Sequence, residues 1–230
     1  MTAGKRAFDL SCSIVGLAML WPLFAAVALL IKAHDGGAVF FRQVRVGHRG
    51  RLFRVWKFRT MRESARLEGL PITVERDARI TKVGVWLRRL KLDEVPQLFS
   101  VVSGHMSMVG PRPEVPKYVA AYTPEQREVL QLMPGITDPA SLRYHDESAM
   151  LRGAQDPEQV YVEDILPAKI QMSLDYAARA TRLSDIRVIL ATLNRLLRVA
   201  RAQAPDTTWG GEVHPADGGR ESSRMSGVAK

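Results

Sequence analysis

The chain of 230 residues is 46 % apolar, enough for one sizeable core with appendages, which excludes a chain disordered throughout. A net charge of +9 and a pI near 10 ask for an anionic partner: nucleic acid, an anionic membrane surface or a phosphorylated small molecule. One cysteine, Cys12, excludes an internal disulfide framework, and the five histidines fall in neither a Cys/His zinc spacing nor an H-E-x-x-H helix.

From Leu10 to Ile31 the chain runs for 22 residues without a charge, the length of a helix that crosses ~30 Å of hydrocarbon. A cleavable signal peptide has a shorter apolar run, roughly 7–15 residues, and ends in a small-residue cleavage site. Both flanks are basic, Lys5 and Arg6 before and Lys32, Arg42 and Arg45 after, so both ends read as cytoplasmic. Pro22, near the middle, removes a helical hydrogen bond and clashes with the preceding turn. A re-entrant helix-break-helix, dipping into one leaflet and returning, satisfies both flanks; a spanning helix with a tolerated proline is the alternative.

Residues 38–61 place β-branched and aromatic residues on either side of "GHRG", which predicts two short strands and a turn. Between Arg42 and Lys91 stand 15 Lys/Arg against four Asp/Glu, so the basic character lies beside the membrane segment. In "TKVGVWLRRLK", 81–91, Val83, Trp86, Leu87 and Leu90 recur at helical spacing with cations on other faces. This is a basic amphipathic helix, at a lipid interface or packed on the core.

"LDEVPQL", 92–98, carries adjacent carboxylates. In isolation it reads as a helix start, with Asp93 as N-cap, Glu94 favoured by the dipole and Pro96 in the first turn. The neighbours allow a second reading. Arg88, Arg89, Lys91 and Arg112 lie close in sequence, so a phosphate can be held where a carboxylate waits, ionised by its cations and able to attack phosphorus. A divalent metal lets carboxylate and phosphates approach.

Further on, Thr123-Pro124-Glu125-Gln126 predicts a capped helix that stops before Pro134. Asp156-Pro157-Glu158-Gln159 predicts another, interrupted or bent at Pro167. From Ser184, read as a cap, Ile186, Ile189, Leu190, Leu193, Leu196 and Leu197 form a stripe among arginines, a second interfacial or core-docked helix. The segment after Arg201 is polar, aperiodic and Gly/Pro-containing, and reads as a disordered tail.

"KFRTM" (57–61), "LDEVPQL" (92–98), "SGHMSMVGPRP" (103–113) and "PGIT" (134–137) occur in that order, behind a proline-containing apolar helix that follows "KRAFD" (5–9). Over residues 4–200 this resembles the bacterial sugar transferases, monotopic polyprenol-phosphate phosphoglycosyl transferases, in their small, catalytic-domain form. The resemblance implies a helix-dominated α+β fold, with a re-entrant membrane segment over 1–36, a catalytic domain over 37–201 and the tail over 202–230. It implies transfer of a sugar phosphate from a UDP-sugar to undecaprenyl phosphate, with release of UMP, at the cytoplasmic face of the bacterial inner membrane. Asp93 falls on the nucleophile, with Glu94 as partner at Mg²⁺ or as acceptor of a proton. Arg88 and Arg112, and then Lys57 and Arg59, fall on phosphate or nucleotide contacts. The chain departs from the family pattern at Trp21, where many small members have Ser before the proline, and at "DPASLRYHDE" (138–147), where many continue with a Gly-Trp-Ala-Gln type segment. A membrane-tethered basic binding protein and a nucleotide-sugar hydrolase are the competing readings; nothing in the chain resembles a nucleic-acid module.

Overall fold

The computed structural model describes residues 2–62, 79–145, 147–151 and 154–202. Past Ala202 the expected tail lies outside the described residues, as does the 63–78 part of the basic stretch. The first helix, α1, runs from Ala3 to Asp35. Thr2 accepts the Lys5 N–H as N-cap, and Gly36, at φ 69°, returns its N–H to the Lys32 carbonyl, the left-handed stop that suits glycine. The helix continues through Pro22 as a single element, where a break was expected. A proline deletes one donor, and the turns on either side keep theirs.

Strands β1 (Phe40–Val46) and β2 (Leu52–Phe58) form the expected hairpin, antiparallel with Phe40 opposite Phe58, around a turn at His48–Gly50. The second helix, α2 (Lys82–Arg89), is capped by Thr81. It does two things at once: Leu87 is buried with Val27, Ile31 and Phe58, while Trp86 is 47 % exposed. A 3₁₀ turn over Leu92–Gln97 leads into α3 (Leu98–Val102).

Strand β3 (Ser107–Val109) pairs in parallel with β4 (Gly135–Thr137), so the "GPRP" segment leaves the small sheet beside the strand that "PGIT" forms. Their backbones touch. A Cβ on Gly135 would stand 2.1 Å from the Gly110 nitrogen, and one on Gly110 would stand 2.3 Å from the Met133 carbonyl oxygen. Between the two strands lie α4 (Pro116–Ala120) and a 3₁₀ turn, Gln126–Gln131, opened by reciprocal bonds between Thr123 and Gln126. The start signal read at Thr123 is therefore right, but the element is a short 3₁₀ turn.

The remaining helices are α5 (Pro139–Arg143), α6 (Glu147–Met150), α7 (Pro157–Val160), α8 (Leu166–Arg179) and α9 (Arg182–Ala202). Between α7 and α8 the backbone passes through a π turn, Tyr161–Ile165, just ahead of Pro167. Widening the turn frees the Glu163 carbonyl, which Pro167 could neither bond nor approach. The cap of α9 is Thr181, three residues before the expected Ser184: Thr181 and Ser184 exchange side-chain bonds to each other's N–H. Along α9, Asp185 and Val188 face the domain, while Leu183, Ile186, Leu190, Leu193 and Leu197 stand exposed.

The "KRAFD" segment fastens α1 to this domain. Arg6 donates to the last carbonyls of α3, Val101 at 2.6 Å and Val102 at 2.9 Å, and Lys5 bonds Asp185 of α9 at 2.6 Å. Asp9, fully buried, accepts from the Ser107 hydroxyl at 2.7 Å and the Met108 N–H at 3.2 Å. These residues therefore hold structure as well as marking a flank.

Gly135→Ala will cost roughly 3 kcal/mol by overpacking two backbones. The measurement is thermal unfolding of the purified protein in detergent, where an unchanged Tm would contradict the close approach.

Candidate active site

Lys91 ends the turn after α2 with φ 55°, a conformation uncommon outside glycine and often met at functional sites. That reversal throws the chain into the 3₁₀ turn. Successive side chains there diverge by about 120°, so the adjacent carboxylates face different surroundings.

Glu94 is the anchored member. Arg112 donates to both of its oxygens, Nη1 to Oε2 at 2.9 Å and Nη2 to Oε1, and Lys57 Nζ donates to Oε1 at 3.0 Å. The three side chains are mostly buried, 14 % exposed for Glu94, 17 % for Lys57 and 29 % for Arg112. Burial works against the Glu94 charge, but the Arg112 guanidinium and the Lys57 ammonium outweigh it and hold the carboxyl well below its usual range. Burial lowers Lys57, and Glu94 raises Arg112.

Asp93 is the open member. It is 6 % exposed, and its Oδ1 is buried without a hydrogen-bond partner. It caps nothing, so the structural reading of the pair as a helix start fails for Asp93: the residue at the cap position is Lys91. Burial and then the Glu94 charge push its carboxyl up to about 6, against the pull of Lys57, Lys91 and Arg88. Cations alone do not keep this carboxylate as acidic as a free one. At pH 7 it is still largely ionised.

Of the residues singled out in the sequence, Asp93, Glu94, Lys57 and Arg112 come together, with Arg88 acting on Asp93 through its charge. Arg59 does not join them. Its guanidinium bonds Asp35 at the end of α1 and packs over Gly37, because β2 has ended one residue earlier and Arg59 turns toward the helix. Both Glu94 oxygens are bonded to cations, so the carboxylate left for a metal is that of Asp93. Among the described residues no group of three or more His, Cys, Asp or Glu side chains gathers to hold a metal. One open carboxylate oxygen suits Mg²⁺, which is held by one or two carboxylates and completes its shell with substrate phosphates and water.

A family model described as "Bacterial sugar transferase" matches residues 1–199. The chain belongs to the bacterial sugar transferase family. It is 36 % identical over 202 residues to an undecaprenyl-phosphate glucose phosphotransferase of Komagataeibacter xylinus, covering 83 % of this chain and 35 % of that protein. It is 37 % identical over 198 residues to a UDP-glucose:undecaprenyl-phosphate glucose-1-phosphate transferase of Xanthomonas campestris pv. campestris, covering 84 % and 38 %. Against the exopolysaccharide production protein PSS of Rhizobium leguminosarum bv. phaseoli it is 37 % identical over 197 residues, 82 % of this chain and 92 % of the relative. The chain thus spans little more than a third of the length of the first two relatives.

Sequence reasoning missed the residues behind Arg112. Glu114 accepts from the Tyr161 hydroxyl at 2.6 Å and from Arg45 at 3.0 Å. Asp138, buried, caps α5 by taking the Ala140 N–H at 3.3 Å, takes the Ser173 hydroxyl at 3.1 Å, and has its charge favoured by the nearby backbone N–H of Arg112. An acid directly after "GPRP" in a basic chain was a signal for Glu114; Tyr161 carries none.

The Asp93 carboxyl will titrate near pH 6, about 2 units above a free aspartate, and Lys57→Met will move it higher by removing the strongest cation acting on it. Carbon-13 NMR of labelled aspartate in the solubilised protein reads both, and a midpoint near 4 would remove this electrostatic account.

Proposed function

We propose that the protein transfers a sugar 1-phosphate from a UDP-sugar to undecaprenyl phosphate through an aspartyl phosphosugar. The observation that carries this is the buried, unpartnered Oδ1 of Asp93 beside a carboxylate already neutralised by Arg112 and Lys57. Such an oxygen attacks the β-phosphorus of the donor. The new O–P bond forms as the bond to the α-phosphate oxygen breaks, and UMP leaves. The phosphate of the polyprenol then attacks the same phosphorus and the acyl–phosphate bond breaks, returning Asp93 as carboxylate.

Glu94 serves as the template of the site. With both oxygens bonded and its proton affinity lowered, it sets Arg112 and Lys57 where developing phosphate charge is stabilised, with no reorganisation during the reaction. Arg88 adds a cation near Asp93. Mg²⁺, when bound, would be held by the Asp93 carboxylate and would supply charge neutralisation toward the donor's phosphates. Glucose, named for the relatives from Komagataeibacter and Xanthomonas, is the first donor sugar to test.

The membrane reading rests on α1. It is long and apolar enough to cross a bilayer, and Met19, Trp21 and Leu29 are among its most exposed residues. Yet both ends hold the same domain, Lys5, Arg6 and Asp9 at one end, Val27, Ile31 and Asp35 at the other. A domain lies on one side of a membrane. This supports a helix that enters one leaflet and does not span, on the cytoplasmic face that the basic flanks favour. The exposed stripe of α9 and Trp86 of α2 suit the same interface.

Asp93→Asn will abolish UMP release from UDP-glucose or whichever UDP-sugar the wild type uses, with Mg²⁺ and undecaprenyl phosphate in nanodiscs, and will leave membrane association intact. Release at a near wild-type rate would rule out the covalent role, and wild-type release without lipid would favour a hydrolase. A second experiment puts a cysteine at residue 2 in a Cys12→Ser background: it stays unlabelled by an impermeant thiol reagent applied to the periplasmic side, and labelling there would refute the one-sided helix.

A further inference from the structure

Arg112 is a long side chain on a loop, yet its bidentate grip on Glu94 demands a fixed loop. The segment 110–114 joins β3 to α4 and has prolines on both sides of Arg112, so φ is set at 111 and 113 and neither offers an N–H. Much of the rest of its backbone is engaged. The Gly110 N–H goes to the Thr137 carbonyl at 3.0 Å, and the Pro111 carbonyl takes the Gly135 N–H at 2.9 Å. The Arg112 N–H lies near enough to the Asp138 carboxylate to favour its charge, the Pro113 carbonyl takes Arg45 Nη1 at 3.1 Å, and the Glu114 carbonyl takes the Val46 N–H at 2.9 Å.

The Glu114 side chain closes this cage. It is 11 % exposed and accepts three bonds, from Arg45, from the Val115 N–H at 2.8 Å and from the Tyr161 hydroxyl. Tyr161 is 3 % exposed, packs its ring against Tyr118 with centroids 5.1 Å apart, and opens the π turn ahead of Pro167. The π turn advances the helix by one extra residue relative to α-helical register, and so sets the azimuth from which Tyr161 reaches Glu114. None of these groups enters the transfer described above.

We propose that Glu114, Asp138 and Tyr161 are positioning residues that hold the 110–114 loop so that Arg112 stays on Glu94, with the π turn aiming Tyr161. The inference deepens the transferase reading and rests on it for its kinetic test. Misplacement of a positioned charge by about an ångström costs up to ~100-fold in rate, so a brace at this distance from the chemistry matters.

The test uses the full chain in nanodiscs and a cycle of four proteins: wild type, Tyr161→Phe, Arg112→Lys and the double variant. Tyr161→Phe keeps the ring and the Arg45–Glu114 pair and removes a single hydrogen bond, so it folds. It will lower UMP release about tenfold, as expected for one bond to a charged group. In the Arg112→Lys background the same change will cost almost nothing, because the grip it serves is already lost. The loss will fall on kcat and not on the KM of the donor, since Arg112 acts on charge that develops during the transfer. Costs that multiply, or a loss that falls on KM alone, overturn the brace and leave the transferase reading standing. Should the wild type release no UMP, that reading fails and the Tm values of the same four proteins decide the brace: non-additive shifts support it, additive shifts overturn it.

Discussion

Everything at the centre of this fold is arranged around one buried carboxylate. Glu94 needs two cations to remain charged out of water, and it takes them from two separate elements, Lys57 from the hairpin and Arg112 from the loop after β3. Removing either partner would leave a buried charge uncompensated, which costs several kcal/mol, so hairpin, turn and loop are bound into one arrangement. Asp93 benefits without being bound. Its neighbour's charge and its own burial raise its proton affinity, and the surrounding cations keep it ionised near neutrality.

The same economy of polar contacts explains how an apolar helix is held to a basic domain. Apolar contact alone cannot hold α1 in place where lipid is an equally good solvent for its side chains. Directional bonds do so. Asp9, buried in the helix, has its carboxylate filled by Ser107 and Met108, the first two residues of the strand leading to Arg112. Arg6 caps α3, whose first residue Leu98 packs against Gly16. The apolar helix and the loop that carries Arg112 thus share one strand, which fixes the candidate site relative to α1.

Local departures from regular structure fall where geometry is needed. Lys91 in the left-handed region, the 3₁₀ turn after it and the π turn at Tyr161 each redirect a side chain that a regular helix would point elsewhere. Pro167 and the two prolines around Arg112 were visible as sequence punctuation. Their consequence was not, because a proline fixes a dihedral and deletes a donor without naming the partner that neighbouring groups then find.

The sequence by itself determined the local elements and the chemistry-bearing residues. The hairpin around "GHRG", the capped α2 helix, the capping pair at Thr123 and the apolar segment each depend on residues a few positions apart, so propensity and spacing decide them. That Asp93, Glu94 and Arg112 gather in one place was legible from motif order. Only the tertiary structure decided which carboxylate is anchored and which is open, since that depends on Lys57 and Arg112, 37 and 18 positions away from Glu94. It also took Arg59 out of the site, moved the α9 cap to Thr181 and placed Glu114, Asp138 and Tyr161 behind Arg112. Burial and long-range pairing set these outcomes, and neither is written in a local window of sequence.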